Sequence, residues 1–121
     1  MHKNKTGLAG ETLACAYLRE NGCEIITTNY ANRFGEIDLI GKDGEYIFFA
    51  EVKTRGENPL ARPADAVDFR KQRKICCTAA AFLQTYKGDL QPRFDVIEVY
   101  LAQNGSLERL NHMKNAFDSC I

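Results

Sequence analysis

Three side chains sit where they could do chemistry together. Asp38 lies in Gly35-Glu36-Ile37-Asp38-Leu39-Ile40, and Glu51 and Lys53 lie in Ala50-Glu51-Val52-Lys53-Thr54-Arg55. Alternate residues of a strand share a face, so Glu51 and Lys53 leave the same side. Asp43-Gly44 between the two runs is a hairpin signal, because Asp-Gly accepts the φ > 0 geometry of a tight turn. Centring the turn there sets Ile40 opposite Ile47, Asp38 opposite Phe49 and Glu36 opposite Glu51. Asp38 and Glu51 become diagonal neighbours on one face, with Cα atoms about 7–8 Å apart. Two carboxylates at that spacing suit Mg²⁺ or Mn²⁺, a hard cation completed by water and substrate phosphate. Such a metal polarises a phosphoryl oxygen and helps make hydroxide from bound water. A fixed cation beside it, here Lys53, stabilises the charge of the transition state or positions the attacking water. The flanking carboxylates are expected to keep Lys53 charged. The chemistry this predicts is metal-dependent phosphodiester hydrolysis.

Each residue also has a plainer reading. An isolated acid-x-lysine on a strand is usually a solvated face. Asp38, between Ile37 and Leu39, could be a satisfied polar side chain near a strand end. Arg70, Lys71, Arg73 and Lys74 form a basic half-helix suited to phosphate contact, although such stretches are more often solubilising surface. Asp95, between Phe94 and Val96, reads as structural. His2 and His112 have no partner at ligand spacing. What favours the chemical reading is convergence of several features on one sheet face.

The elements that must position these groups follow from periodicity. Residues 6–21 read as a helix, capped by Thr6 and ended by Gly22. Leu8, Cys15 and Leu18 share one of its faces, with Glu11 in the middle of that stripe. Residues 23–30 are β-branched and strand-like, and 31–34 make a turn. Residues 35–40 and 46–53 form the hairpin. Residues 54–63 read as a loop, with Gly56, Asn58, Pro59 and Pro63 as breakers. Asp65 or Asp68 opens a long helix to about Tyr86, stopped by Gly88. Residues 94–101 form a fourth strand, Asn104-Gly105 a second hairpin turn, and 107–113 a short fifth strand. The order α-β-β-β-α-β-β predicts an α/β fold, a mixed sheet with helices packed on it.

The bulk numbers set limits. The 121 residues are one domain's worth. Sixteen basic residues balance sixteen acidic ones, which argues against a protein that coats nucleic acid by charge alone. No apolar run approaches the ~18 residues of a membrane helix, and no apolar stretch follows the basic start as in a secretion signal. Five cysteines, odd in number and without a CxxC, point to a reduced cytoplasmic protein with neither disulfide nor zinc.

Several segments together resemble the YraN family of bacterial proteins. They are Gly7-Leu8-Ala9-Gly10-Glu11, the Gly35–Ile40 and Ala50–Arg55 runs quoted above, Ala66-Val67 followed by Lys71, Arg93-Phe94-Asp95-Val96, and Asn115-Ala116-Phe117. The resemblance spans almost the whole chain, in order and spacing. That family is similar to the restriction-endonuclease-like PD-(D/E)xK superfamily and to archaeal Holliday-junction resolvases. The resemblance implies a restriction-endonuclease-like sheet and an endonuclease acting on DNA, including branched or damaged DNA. It implies a helix Glu, a strand Asp and an acid-x-Lys as the catalytic set, filled by Glu11, Asp38, Glu51 and Lys53, with the three carboxylates on the metal. Ile37 stands where proline often precedes the Asp. Lys71 matches a family position and could touch a phosphate. Junction-cutting relatives are dimers, so a homodimer is expected by analogy. The competing expectations are a nucleic-acid-binding module that does not cleave and a protein-interaction subunit that shares only the fold.

Overall fold

The computed structural model describes residues 5–56 and 67–121, with side chains from Gly7 onward. Its elements are α1 (Lys5–Glu20), β1 (Glu24–Asn32), β2 (Gly35–Asp43), β3 (Tyr46–Arg55), α2 (Phe69–Thr85), β4 (Gln91–Leu101) and β5 (Leu107–Phe117). The strands form one sheet in the order β1-β2-β3-β4-β5. The β3–β4 pair is parallel and the other three pairs are antiparallel. A parallel pair needs a crossover connection, and α2 lies on it. This is the expected α/β mixed sheet with helices on its faces.

Alternation along β3 sorts the core into two layers. Phe48 and Ala50 pack with Ala14, Cys15 and Leu18 of α1. Ile47 and Phe49 pack with Ile75, Cys76 and Ala79 of α2. The helices therefore cover opposite faces. The α2 layer is aromatic, with Phe49 stacked on Phe94 at 5.5 Å and Phe94 on Phe117 at 5.2 Å between centroids. No helix among the described residues is long and apolar enough to cross a membrane.

The local chemistry explains the helix ends. α1 stops where Gly22 takes a left-handed φ of 84° and the Cys23 N–H returns to the Leu18 carbonyl. Its buried stripe is Glu11, Ala14, Cys15 and Leu18; Leu8, expected on that stripe, is 51% exposed. The helix already includes Lys5, so Thr6 lies inside its first turn, and the proposed Thr6 side-chain cap lies outside the described residues. Asp68 caps α2 by accepting from the Lys71 N–H at 2.8 Å. The alternative opener, Asp65, also lies outside the described residues, as do most of the expected loop breakers.

Three expectations need correction. The β2–β3 turn is Gly44-Glu45, one residue later than expected, and only Gly44 has positive φ (59°). That is the pattern of a turn with glycine at its first central position. The register shifts by two, so Ile40 faces Phe49 and Leu39 faces Ala50. Parity is unchanged. Next, β3 continues through Thr54 to Arg55, because parallel pairing extends to Arg55 opposite Tyr100. Finally, the expectation of five free thiols fails: Cys76 and Cys120 are bridged. β5 runs on to Phe117 and its end packs against the α2 layer. This returns the C-terminal tail to α2 and sets the two Cα atoms 6.1 Å apart, within disulfide reach. Cys15 and Cys23 remain buried thiols, and Cys77 is exposed.

Candidate metal and nucleic-acid site

The site forms where β2 and β3 part. Their backbone pairing ends at Leu39 opposite Ala50. The Val52 N–H is bound instead by Asp38 Oδ2 at 2.8 Å. Asp38 thus takes over a ladder hydrogen bond with its side chain, which fixes the carboxylate at the fork. Glu51 stands on the same stretch of β3. Both are nearly buried, at 6% and 7% exposure.

Lys71 completes the group from α2. Its Nζ lies 2.8 Å from Glu51 Oε1. Burial and then the Asp38 charge push the Glu51 carboxyl above its ordinary range; Lys71 and Lys53 only partly offset them. Burial would lower Lys71, but hydrogen bonds with Glu51 and Lys53 and the charges of Glu51 and Asp38 outweigh it and raise its ammonium above the usual lysine value. Lys53 goes the other way. Burial, then the Lys71 hydrogen bond and charge, lower it, against the pull of Glu51 and Asp38. The expected pull of the two carboxylates is present, but burial and the second lysine outweigh it in setting the direction of the shift. The missing quantity was the second lysine, which prefers the shared charge.

Glu11 approaches from the other layer. A Cβ on Gly10 would collide with the Thr54 side chain, so only glycine lets α1 lie this close to β3. Glu11 Oε1 accepts from Asn29 Nδ2 at 3.0 Å. Asn29 has a left-handed φ of 52°, tolerable for asparagine. It falls opposite Asp38, between the pairs Thr28–Leu39 and Tyr30–Ile37. Asn29 therefore links the α1 carboxylate to the fork, a role that the sequence reading missed. Among the described residues, no three His, Cys, Asp or Glu side chains gather as a metal-binding group. The closely coupled pair is Asp38 and Glu51.

The basic half of α2 divides. Lys71 shares the inward stripe with Ile75 and Thr78. Arg70, Arg73 and Lys74 instead line an outer groove with Phe34, Phe69 and Cys77. Helical spacing carried this division, since 70, 73, 74 and 77 share a face and 71, 75 and 78 share another. Lys53 and Arg55 line a smaller cavity with Gln72 and Glu98, and Arg55 bonds Glu98 at 3.3 Å.

A second charged cluster lies on the α1 face of β4. Asp95 is fully buried and accepts from Arg93 Nε and Nη2, both at 2.9 Å. It also bonds His112 Nε2 at 2.8 Å and accepts from the Asn115 N–H at 3.0 Å. Arg93 reaches Asp43 at 3.0 Å as well. Burial favours the neutral acid, but the His112, Arg93 and Asn115 hydrogen bonds prevail and hold the Asp95 carboxyl below its usual value. His112, which the sequence left without a partner, is bound across the β4–β5 pair.

Fold and site define an α/β sheet protein with a paired-carboxylate, paired-lysine fork at the end of a hairpin. The profile described as "Uncharacterised protein family UPF0102" matches residues 10–99. The UPF0102 protein TTE1452 of Caldanaerobacter subterraneus is 42% identical over 119 residues, covering 97% of this chain and 98% of that one. A UPF0102 protein of Syntrophus aciditrophicus is 43% identical over 94% of this chain and 89% of its own. One from Rhodococcus opacus is 39% identical over 96% and 98%. The chain belongs to the UPF0102, or YraN, family.

Proposed function

We propose that this chain is a divalent-metal-dependent endonuclease that hydrolyses DNA phosphodiester bonds. The observation that carries the reading is the buried Asp38–Glu51 pair at the fork, with two lysine ammonium groups competing for one acid environment. Asp38 and Glu51 would hold Mg²⁺ or Mn²⁺, with Glu11 the third carboxylate that the family resemblance implies. Bound there, the metal would supply Lewis-acid activation of the phosphate and an acidified water. The donor set fits in kind: hard carboxylate oxygens, one of them fixed by the Val52 N–H. Lys53 orients the attacking water and opposes the charge that grows on the phosphate. Lys71 neutralises Glu51 until a stronger cation or a phosphate draws it away. Arg70, Arg73 and Lys74 hold the DNA backbone. Paired cuts on two strands would suit a homodimer, and the cytoplasm is the proposed compartment.

The test is a cleavage panel of linear, flap and four-way DNA with Mg²⁺ or Mn²⁺. Wild type should cut at least one substrate. Lys53→Ala should lose about 10²–10³ in single-turnover rate while metal and DNA binding persist. If wild type leaves every substrate intact, the nuclease reading fails; if Lys53→Ala cuts at the wild-type rate, the role of Lys53 fails. The second reading is a DNA-binding module that does not cleave. It is favoured by Lys71, which already occupies Glu51 as an internal counter-ion.

A further inference from the structure

Two large aromatic side chains stand in solvent beside the basic face of α2. Phe69 is 71% exposed and Phe34 42%. With Arg70, Arg73, Lys74 and Cys77 they line a groove of about 530 Å³. Guanidinium groups lie over both rings, Arg33 at 4.8 Å from the Phe34 centroid and Arg73 at 5.9 Å from that of Phe69.

The rings are held in place. Phe34 sits in the turn between β1 and β2, where its N–H binds Asn32 Oδ1 at 2.9 Å. Asn32 Nδ2 in turn donates to the Thr78 carbonyl at 3.3 Å, tying that turn to α2. Phe69 is the first residue of α2, directly after the Asp68 cap. An apolar surface this exposed gains from burial, and the cations around it select an anionic occupant. Few polymers present flat apolar faces and regular negative charge together. An unpaired stretch of nucleic acid does: each base offers a π-face, and each link a phosphate. A duplex hides those faces in its stack.

We propose that this groove binds single-stranded DNA, with one or two unpaired bases stacked on Phe34 and Phe69 and the flanking phosphates on Arg70, Arg73 and Lys74. The inference deepens the nuclease reading and rests on its nucleic-acid part. Lys71, the next residue after Arg70, reaches Glu51 from the inward face of α2, while the groove lies on the outer face of the same helix. The substrate class is then DNA with an unpaired segment, bound with little base preference.

The test is fluorescence anisotropy in EDTA, which prevents cleavage. The probes are labelled oligothymidylate of about 12 nucleotides, within the site size of single-strand binders, a duplex of equal length, and an abasic strand of equal length. Phe69→Ala and Phe34→Ala should each weaken oligothymidylate binding by about 10- to 100-fold. Duplex binding should change less than about twofold, and Phe69→Trp should keep wild-type affinity, since stacking tolerates any large ring. The abasic strand should bind wild type no better than oligothymidylate binds Phe69→Ala. Unchanged affinity in both Phe→Ala variants, an abasic strand as tight as oligothymidylate, or a wild type that prefers duplex would each overturn the groove. The cleavage panel separates the two readings. If duplex DNA is cut while the Phe→Ala variants bind normally, the nuclease stands and the groove falls. If no probe binds wild type, the groove falls together with the DNA-binding part of the nuclease reading. Thermal melts of the variants should match wild type, because both rings are exposed.

Discussion

The protein buries two clusters of charge, and they are built to opposite rules. Around Asp95, Arg93 donates twice, His112 and the Asn115 N–H once each, and Asp43 takes the rest of the guanidinium. The acid is held down and the cluster is satisfied. At the fork, two carboxylates and two lysines crowd together, the Glu51 carboxyl is pushed up and Lys53 is pushed down. A satisfied cluster stabilises; a strained one stores a preference for another ion. The first should fail by unfolding when altered, and the second by losing activity while the fold remains intact.

The largest expected effect is at the fork. Asp38→Asn keeps an oxygen that can accept from the Val52 N–H, so the fold should persist. Single-turnover cleavage should fall by at least about 10³, because a metal ligand and its charge are lost together. Calorimetric Mn²⁺ titration should show weakened binding, and undiminished binding would remove Asp38 from the metal. Next comes Asp95→Asn, which leaves a buried guanidinium short of its main partner. The expected loss is about 3 kcal/mol in urea unfolding; a loss under about 0.5 kcal/mol would show that the two clusters are not built differently.

The same carboxyl sets an acid limit. Asp95 titrates lower in the folded chain than its ordinary value of 3.8, so the unfolded chain binds more protons below that pH. Its stabilisation is complete above that value and drains as pH falls through the lower, folded one. Asp95 is faced by Arg93 on its own strand and by His112 and Asn115 of β5. Urea midpoints of wild type and Asp95→Asn should therefore converge as the pH drops below about 4. The smallest effect has the opposite sign. Glu51→Gln, in EDTA, should raise stability at neutral pH by about 1 kcal/mol, as removing strained functional charge commonly does. A clear loss of stability would mean that the Lys71 ion pair outweighs burial and Asp38 repulsion.

Much of this was legible beforehand, for identifiable reasons. The strands and α2 followed from period and punctuation, and Asp38, Glu51 and Lys53 from strand parity. Parity survived the turn error because a shift of two residues preserves every face. What stayed hidden depended on distance in sequence. The Asn29 bridge to Glu11, the Lys71–Glu51 pair and the Cys76–Cys120 link, 44 residues apart, all follow from how layers stack. The direction in which Lys53 shifts depends on Lys71, whose position beside it no local pattern encodes. Phe34 and Phe69 were visible as letters, but exposure of an aromatic side chain is a property of the packed molecule.

Among the described residues the sheet is open at both ends, so β1 and β5 each leave a row of backbone groups without a neighbouring strand. Such rims can template the growth of aggregates. Here both are bent: Asn29 and Asn115 adopt left-handed backbone within them, and the pairing of each with its neighbour slips register. Neither rim offers a long straight ladder to a passing chain. The asparagine that reaches Glu11 and the one that feeds its N–H to Asp95 therefore also interrupt the straight edges that fibrous assembly would need.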